Sequence, residues 1–313
     1  MEFVEHLRKI ESESRKKIDE IANEIRDISS DEWSLVVNGS FARHEVTQGS
    51  DFDFFILHKP TATAATIRNA IRRVKQAAQK ANVKLPSDTG VFGQKFDGTS
   101  LINNIGGNGD RNETITRRVL YLLEGHAITN RRLFDSHRKQ LINRYIQTSI
   151  SDHQLSLFLL NDFIRYYRTV CVDFEFKTFE DGKPWGIRNI KLIFSRKLMY
   201  FSGALMVAET AQRSLRRKRE IIIDHCNRTP IQRVQAICGG SSDRALASYA
   251  TFLKQLDDSD VRKSLEKTTK NNQRTNSIFR DLKDEGQHFS AYLVSALQNT
   301  YPTSHPIHRA LML

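Results

Sequence analysis

The chain has 313 residues, 39% of them hydrophobic and 27% charged, with a formal net charge of +12. That length accommodates two domains, each able to bury its own core, and it holds no run of about 18 apolar residues, so no transmembrane helix is expected. Three scattered cysteines (Cys171, Cys226, Cys238) give neither zinc spacing nor an even count for disulfides; with an acidic, amphipathic N-terminus unlike a signal peptide, the expectation is a reducing cytoplasm, no membrane, and a positive surface that attracts nucleic acid or an acidic protein.

In chain order, Phe3, Leu7, Ile10, Ile18, Ile21 and Ile25 recur at helical spacing between charges and predict an amphipathic helix over residues 2–28. The apolar run Trp33 to Val37 ends in Gly39-Ser40, and a first strand is expected over about Leu35 to Asn38. A short polar segment follows, with a short helix expected after Ser40. Ser50-Asp51-Phe52-Asp53 then leads into a second apolar run, and a strand is expected over residues 52–58. In an extended strand, residues two apart share a face, so the Asp51 and Asp53 carboxylates are expected side by side. Carboxylates held that close repel one another unless a cation sits between them. Magnesium accepts such oxygens, usually one or two carboxylates plus substrate phosphate oxygens. Gly39 lets backbone approach a phosphate closely, and Ser40 offers a hydroxyl and amide donors. Strand, Gly-Ser, short helix, strand with Asp-x-Asp is therefore a coherent site for Mg2+ (or Mn2+) with a nucleoside triphosphate. Asp51 and Asp53 hold the metal in this reading, and Gly39 and Ser40 hold the β- and γ-phosphates.

Gly39-Ser40 followed by Asp51-x-Asp53 resembles the signature of the nucleotidyltransferase fold, the polymerase-beta-like superfamily. The longer string, Gly-Ser-Phe-Ala-Arg-x-Glu and then Ser-Asp-Phe-Asp, is similar to one branch of it, the adenylyl- and uridylyltransferases that modify nitrogen-control proteins, with their stand-alone relatives. The resemblance covers residues 33–57 and is thin elsewhere. It implies transfer of a nucleoside monophosphate with pyrophosphate leaving, and it makes Arg43 and Glu45 part of the motif. Those two are expected to pair with each other or to orient the metal carboxylates from behind; His44 between them is expected at the surface. Superfamily members also present a third carboxylate on a nearby strand. Asp88 is the first candidate, as a base or a metal ligand, and Asp97 the second, although neither sits in a clean alternating strand.

Beyond Pro60, residues 63–81 predict a helix with a basic face (Arg68, Arg72, Arg73, Lys75, Lys80), and residues 83–96 predict strand plus turn. Residues 103–112 are a loop or linker, with Asp110 or Asn112 as cap of a helix over 113–124. Helices are expected near 130–148, 152–176, 185–212, 214–225, 230–237, 243–255 and 273–299, with no strand after about residue 100. The fold class is an α/β (α+β) catalytic domain with a small mixed sheet, residues 1–110, followed by an all-α domain, residues 111–313.

Two later helices carry basic stripes within apolar runs: Asn161, Arg165 and Arg168 in one, Arg188, Lys191 and Ser195 in the other. Burying such a stripe without an anion is costly, so Arg165, Arg188 and Lys191 are expected to contact the nucleotide or an acidic acceptor. The competing expectation is an internal ion-pair network with Asp162, Asp173 and Glu175. Trp185 is a core residue or a base-stacking platform. ATP is the default nucleotide. A protein hydroxyl is the first acceptor expected and an RNA end, such as that of tRNA, the second. A small hydroxylated molecule and cyclic-nucleotide synthesis come after these. A toxin-like transferase and a non-catalytic, nucleotide-binding regulatory module are the alternatives.

Overall fold

The computed structural model describes residues 2–86, 94–179 and 182–312. Its contacts divide the chain into one compact unit of residues 8–147 and another of residues 148–312 with residues 2–7. The division thus falls well after residue 110.

The first unit is built from residues 8–24 of α1 (Glu2–Glu24), β1 (Trp33–Val37), α2 (Gly39–Arg43), β2 (Phe54–His58), α3 (Ala64–Lys80), β3 (Gln94–Asp97), α4 (Gly98–Asn103), α5 (Asn112–Leu123), β4 (His126–Ala127) and α6 (Arg131–Tyr145). The four strands form one mixed sheet in the order β3-β2-β1-β4. β1 is antiparallel to β2, with Val37 opposite Phe54, and to β4, with Val37 opposite His126. β3 runs parallel to β2. β4 is the reason the unit extends past residue 110: the expectation of no strand beyond residue 100 misses it, because two residues carry no alternation to read. Past β4 the chain continues along β1, where Ile128 donates its N–H to the Leu35 carbonyl and Thr129 Oγ1 accepts from the Leu35 N–H.

Every residue of β1 is buried. On one face, Leu35, Val37, Phe54 and Ile56 pack with Ile18, Ile21 and Ile25 of α1 and Ile67 and Val74 of α3. On the other, Phe55 meets Tyr121 of α5, which packs edge-on against Phe134 of α6 at 4.6 Å. Covered on both faces, the central strands read as unbroken apolar runs. Asp110 does not cap α5, whose N-cap is Arg111. Instead it receives two hydrogen bonds, at 3.0 and 2.9 Å, from the fully buried guanidinium of Arg118, which also donates to the Tyr145 hydroxyl.

The regular structure of the second unit is all helical among its described residues: α7 (Leu157–Phe179), α8 (Trp185–Lys191), a π-helical turn over Leu192–Arg196, α9 (Lys197–Ala208), α10 (Leu215–Cys226), α11 (Pro230–Cys238), α12 (Asp243–Asp257), α13 (Ser259–Lys267), α14 (Ser277–Thr300) and α15 (Pro306–Met312). Phe194, on the π turn, stacks on Phe252 and Phe289 at the centre of this core. The buried Lys218 Nζ donates to the carbonyls of Asp152, Gln154 and Thr210, and so ties the start of the unit to α9 and α10. No helix among the described residues is long and apolar enough to cross a membrane.

Candidate active site

At the end of β1, Asn38 stays extended and its N–H donates to the Asp53 carbonyl at 2.8 Å, adding one more rung to the β1–β2 ladder. The chain then turns sharply. Gly39 has φ +65°, a left-handed conformation that glycine adopts without a Cβ penalty. A Cβ placed there would stand 2.7 Å from Asp53 Oδ2. The turn therefore brings Gly39 and Asp53 together and leaves no room for a side chain between them. α2 is hardly more than one turn. It closes through two reverse hydrogen bonds, His44 N–H to the Phe41 carbonyl and Glu45 N–H to the Ser40 carbonyl, with His44 left-handed at φ 57°. This is the Schellman ending of a helix, here made by a histidine in place of glycine.

A buried ion-pair chain braces this turn from behind. Arg43 Nε donates to Glu45 Oε2 at 2.8 Å, and Arg43 Nη1 to Glu124 Oε2 at 2.6 Å. The other Glu124 oxygen accepts the Gly39 N–H at 2.9 Å. Arg43 and Glu45 thus pair with each other. Glu124, from the end of α5, is a residue that sequence reasoning missed. Because the Gly39 amide is already held by a carboxylate, Gly39 contributes room, and the half-exposed Ser40 is the group at this turn with a hydroxyl to offer.

The two aspartates stand at the entrance of β2. The strand begins at Phe54, and Asp53 N–H closes back on the Asp51 carbonyl at 3.1 Å in a tight three-residue turn. The expected strand from residue 52 therefore starts two residues later, and this turn carries both aspartates into it. Asp51 forms a parallel bridge with Lys84, whose carbonyl accepts the Phe52 N–H at 2.7 Å. Lys84 Nζ lies 2.8 Å from Asp51 Oδ1.

Asp88 lies outside the described residues. Asp97 is opposite His58 in the β2–β3 register. At about 3.3 Å per residue, five residues separate that rung from Asp53 by roughly 16 Å. Its carboxylate is engaged in capping α4, accepting from Thr99 N and Oγ1. The structure does not bring Asp97 to the aspartate pair. No group of three or more His, Cys, Asp and Glu side chains is placed to hold a metal among the described residues. The donor set still suits a magnesium ion, which needs only one or two protein carboxylates when phosphate and water oxygens complete its shell. Asp51 and Asp53 supply hard oxygens, and Asp51 Oδ1 is a buried carboxylate oxygen that accepts no hydrogen bond among the described residues; the missing side chain at Gly39 is what admits the Asp53 carboxylate.

Two neighbours complete the surroundings. Asn38 is fully buried, and neither its Oδ1 nor its Nδ2 has a hydrogen-bond partner among the described residues. His44, expected at the surface, is buried, with its ring edge-on to His126 at 5.7 Å. Burial, with the charge of Arg15 and the ring of His126, holds its pKa down to about 3. It is neutral at ordinary pH.

The other predicted contacts belong to the helical unit. Asn161, Arg165 and Arg168 are all exposed on α7, so the cost of burying that stripe does not arise. Arg165 stands 4.0 Å from Asp162. Arg188 lies over the Phe174 ring, and Lys191 is half-buried. Ser195 accepts from the Tyr249 hydroxyl. Trp185 is a core residue, packed on Phe279 and Phe174.

Residues 18–106 match the nucleotidyltransferase domain family. The match takes in β1, α2, both aspartates and Lys84, and stops before Glu124. No curated protein matches the chain.

Proposed function

From the premise that this chain carries a nucleotidyltransferase domain of the polymerase-beta-like superfamily, and is therefore a transferase of nucleoside monophosphates, we propose that the Gly39–Asp53 site moves AMP from ATP onto a protein hydroxyl with Mg2+ or Mn2+ as cofactor. The observation that carries the reading is the placement of the Asp53 carboxylate directly over Gly39. That contact supports the reading because it joins the turn proposed to hold phosphate to a carboxylate proposed to hold the metal.

Asp51 and Asp53 would hold the metal, which when bound offsets charge on the attacking and leaving oxygens. Ser40 donates its hydroxyl to the phosphate tail. Arg43, Glu45 and Glu124 act from behind, fixing the backbone that presents Gly39 and Ser40. Rate enhancement in such a site comes mainly from positioning and fixed charge. Asp88 is the proposed third carboxylate, accepting the proton of the acceptor hydroxyl. Arg165, Arg188 and Lys191 are proposed contacts to the nucleotide or to an acidic acceptor. The protein acceptor is favoured by similarity to the protein-modifying branch. An RNA end is the second reading, favoured by the net charge of +12.

The test is incubation with each α-³²P-labelled nucleoside triphosphate and Mg2+, with and without cell lysate and total RNA. Label is expected on a protein band, to vanish in Asp53→Ala while that variant keeps its fold. Wild-type-like turnover by Asp53→Ala would sink the metal-site assignment. Label on RNA alone would move the acceptor to the second reading.

A further inference from the structure

Two kinds of ion pair serve this site, and they are of opposite character. The Arg43–Glu124 pair is sealed, with side chains 9% and 0% exposed, and its guanidinium is held at two nitrogens. The Lys84–Asp51 pair is open, with side chains 66% and 42% exposed, and it is a charge contact without hydrogen-bond geometry: Asp51 Oδ1 is closed off from solvent and accepts no hydrogen bond among the described residues. Lys84 has a fixed base and a free tip. Its backbone is pinned to the aspartate turn by the Phe52 N–H and the bridge to Asp51, while its ammonium rides on a flexible four-carbon stem.

We propose that Lys84 is a further substrate-binding residue that serves two partners in turn: the Asp51 carboxylate while the site holds no nucleotide, and the triphosphate tail once the metal–nucleotide arrives. The inference rests on the metal–triphosphate reading of this site. Before binding, the Lys84 ammonium is the cation at Asp51 and limits repulsion between the two aspartates. An exposed ion pair is weak, so a divalent ion takes over Asp51 readily. The displaced ammonium remains tethered beside the site, where the incoming polyanion is its nearest new partner. Charge stays matched at each stage: Lys84 offsets a carboxylate first and a phosphate afterwards. A buried arginine such as Arg43 could not exchange in this way, because leaving would strand a charge away from water.

This gives Lys84 substitution two effects of opposite sign. In Lys84→Ala, Mn2+ alone, titrated without nucleotide and followed by electron paramagnetic resonance, is expected to bind roughly two- to fivefold more tightly than in wild type, the size of a lost exposed ion pair. The α,β-methylene analogues of the four nucleoside triphosphates, titrated with Mg2+, are expected to bind more weakly to the same variant. Lys84→Arg keeps the charge and is expected to stay near wild type in both. Mn2+ affinity that is unchanged or weaker in Lys84→Ala overturns the proposal, as does unaltered analogue binding. Asp53→Ala separates the two levels. If wild type binds Mn2+ no better than Asp53→Ala, the metal–triphosphate reading falls and the Lys84 proposal with it. If binding depends on Asp53 but not on Lys84, only the Lys84 proposal falls.

Discussion

Asp53 Oδ2 occupies the space a side chain at residue 39 would need, 2.7 Å from the Cβ position. Gly39→Ala therefore meets two penalties. The left-handed backbone costs an alanine roughly 1–2 kcal/mol, and Asp53 must move to admit the methyl group. The expected result is a modest fall in Tm with near-complete loss of nucleotidyl transfer. A variant that loses stability but keeps its transfer rate would show that the Asp53 carboxylate need not lie over this turn.

Glu124 is expected to matter as much as residues within the motif. Glu124→Ala removes one of the carboxylates that hold the buried Arg43 and takes away the acceptor of the Gly39 amide. Breaking a buried pair in this way costs about 3–5 kcal/mol. Glu124→Gln keeps an acceptor for Gly39 and should cost less, about 1–3 kcal/mol. Urea midpoints for the single variants, with Arg43→Met and the double variant, should show strong non-additivity. Additive losses would mean that Arg43 and Glu124 are not coupled.

Asn38 carries the opposite sign. Its buried amide has two polar atoms unpaired among the described residues, each a destabilising burden of about 1–3 kcal/mol. Asn38→Leu, close in size, is expected to raise Tm. Residue 38 lies across from Asp53 in the ladder, so transfer activity is expected to fall in the same variant. A lower Tm would mean that the amide is satisfied in solution.

His44 sets an acid limit. Its folded pKa of about 3 lies below the ordinary 6.5. The unfolded chain therefore takes up a proton that the folded chain refuses. The stability contributed by the neutral ring is complete above pH 6.5 and is lost as the pH falls from there toward 3, at up to about 1.4 kcal/mol per pH unit. His44→Asn retains a residue tolerant of the left-handed backbone and should show a shallower fall in urea midpoint between neutral pH and roughly pH 5. Parallel curves for variant and wild type would place the acid sensitivity elsewhere. His126, whose pKa burial also lowers, is the next group to test.

How much of this was readable depended on distance along the chain. Trp33 to Leu57 announces its strands because both are buried on two faces, and Gly39, Ser40, Asp51 and Asp53 stand within that stretch. The Arg43–Glu45 pair was legible for the same reason. Glu124 was not: it reaches Arg43 from 81 residues away, and a glutamate at a helix end has no spacing that marks it. The turn at Asp51–Asp53 was read as strand because alternation across Asp-Phe-Asp-Phe imitates a pleat, while the deciding hydrogen bond is local. Short α4, α13 and α15 were passed over, since one or two turns give too few apolar positions to establish a period. The apolar flanks of the basic stripe on α7 suggest burial, yet Arg165 and Arg168 face outward while Phe163 and Tyr166 fill the core.

The two-residue β4 has one more effect. Beyond its short pairing, the free flank of β1 is taken up by Ile128 and Thr129, whose amide and hydroxyl bond Leu35, while Ser34 Oγ donates to the Thr129 carbonyl. Exposed strand flanks are templates for aggregation and domain swapping. Here that flank is closed by side chains as well as by backbone, so a second copy of the protein finds no open row of amides along β1 on which to add a strand.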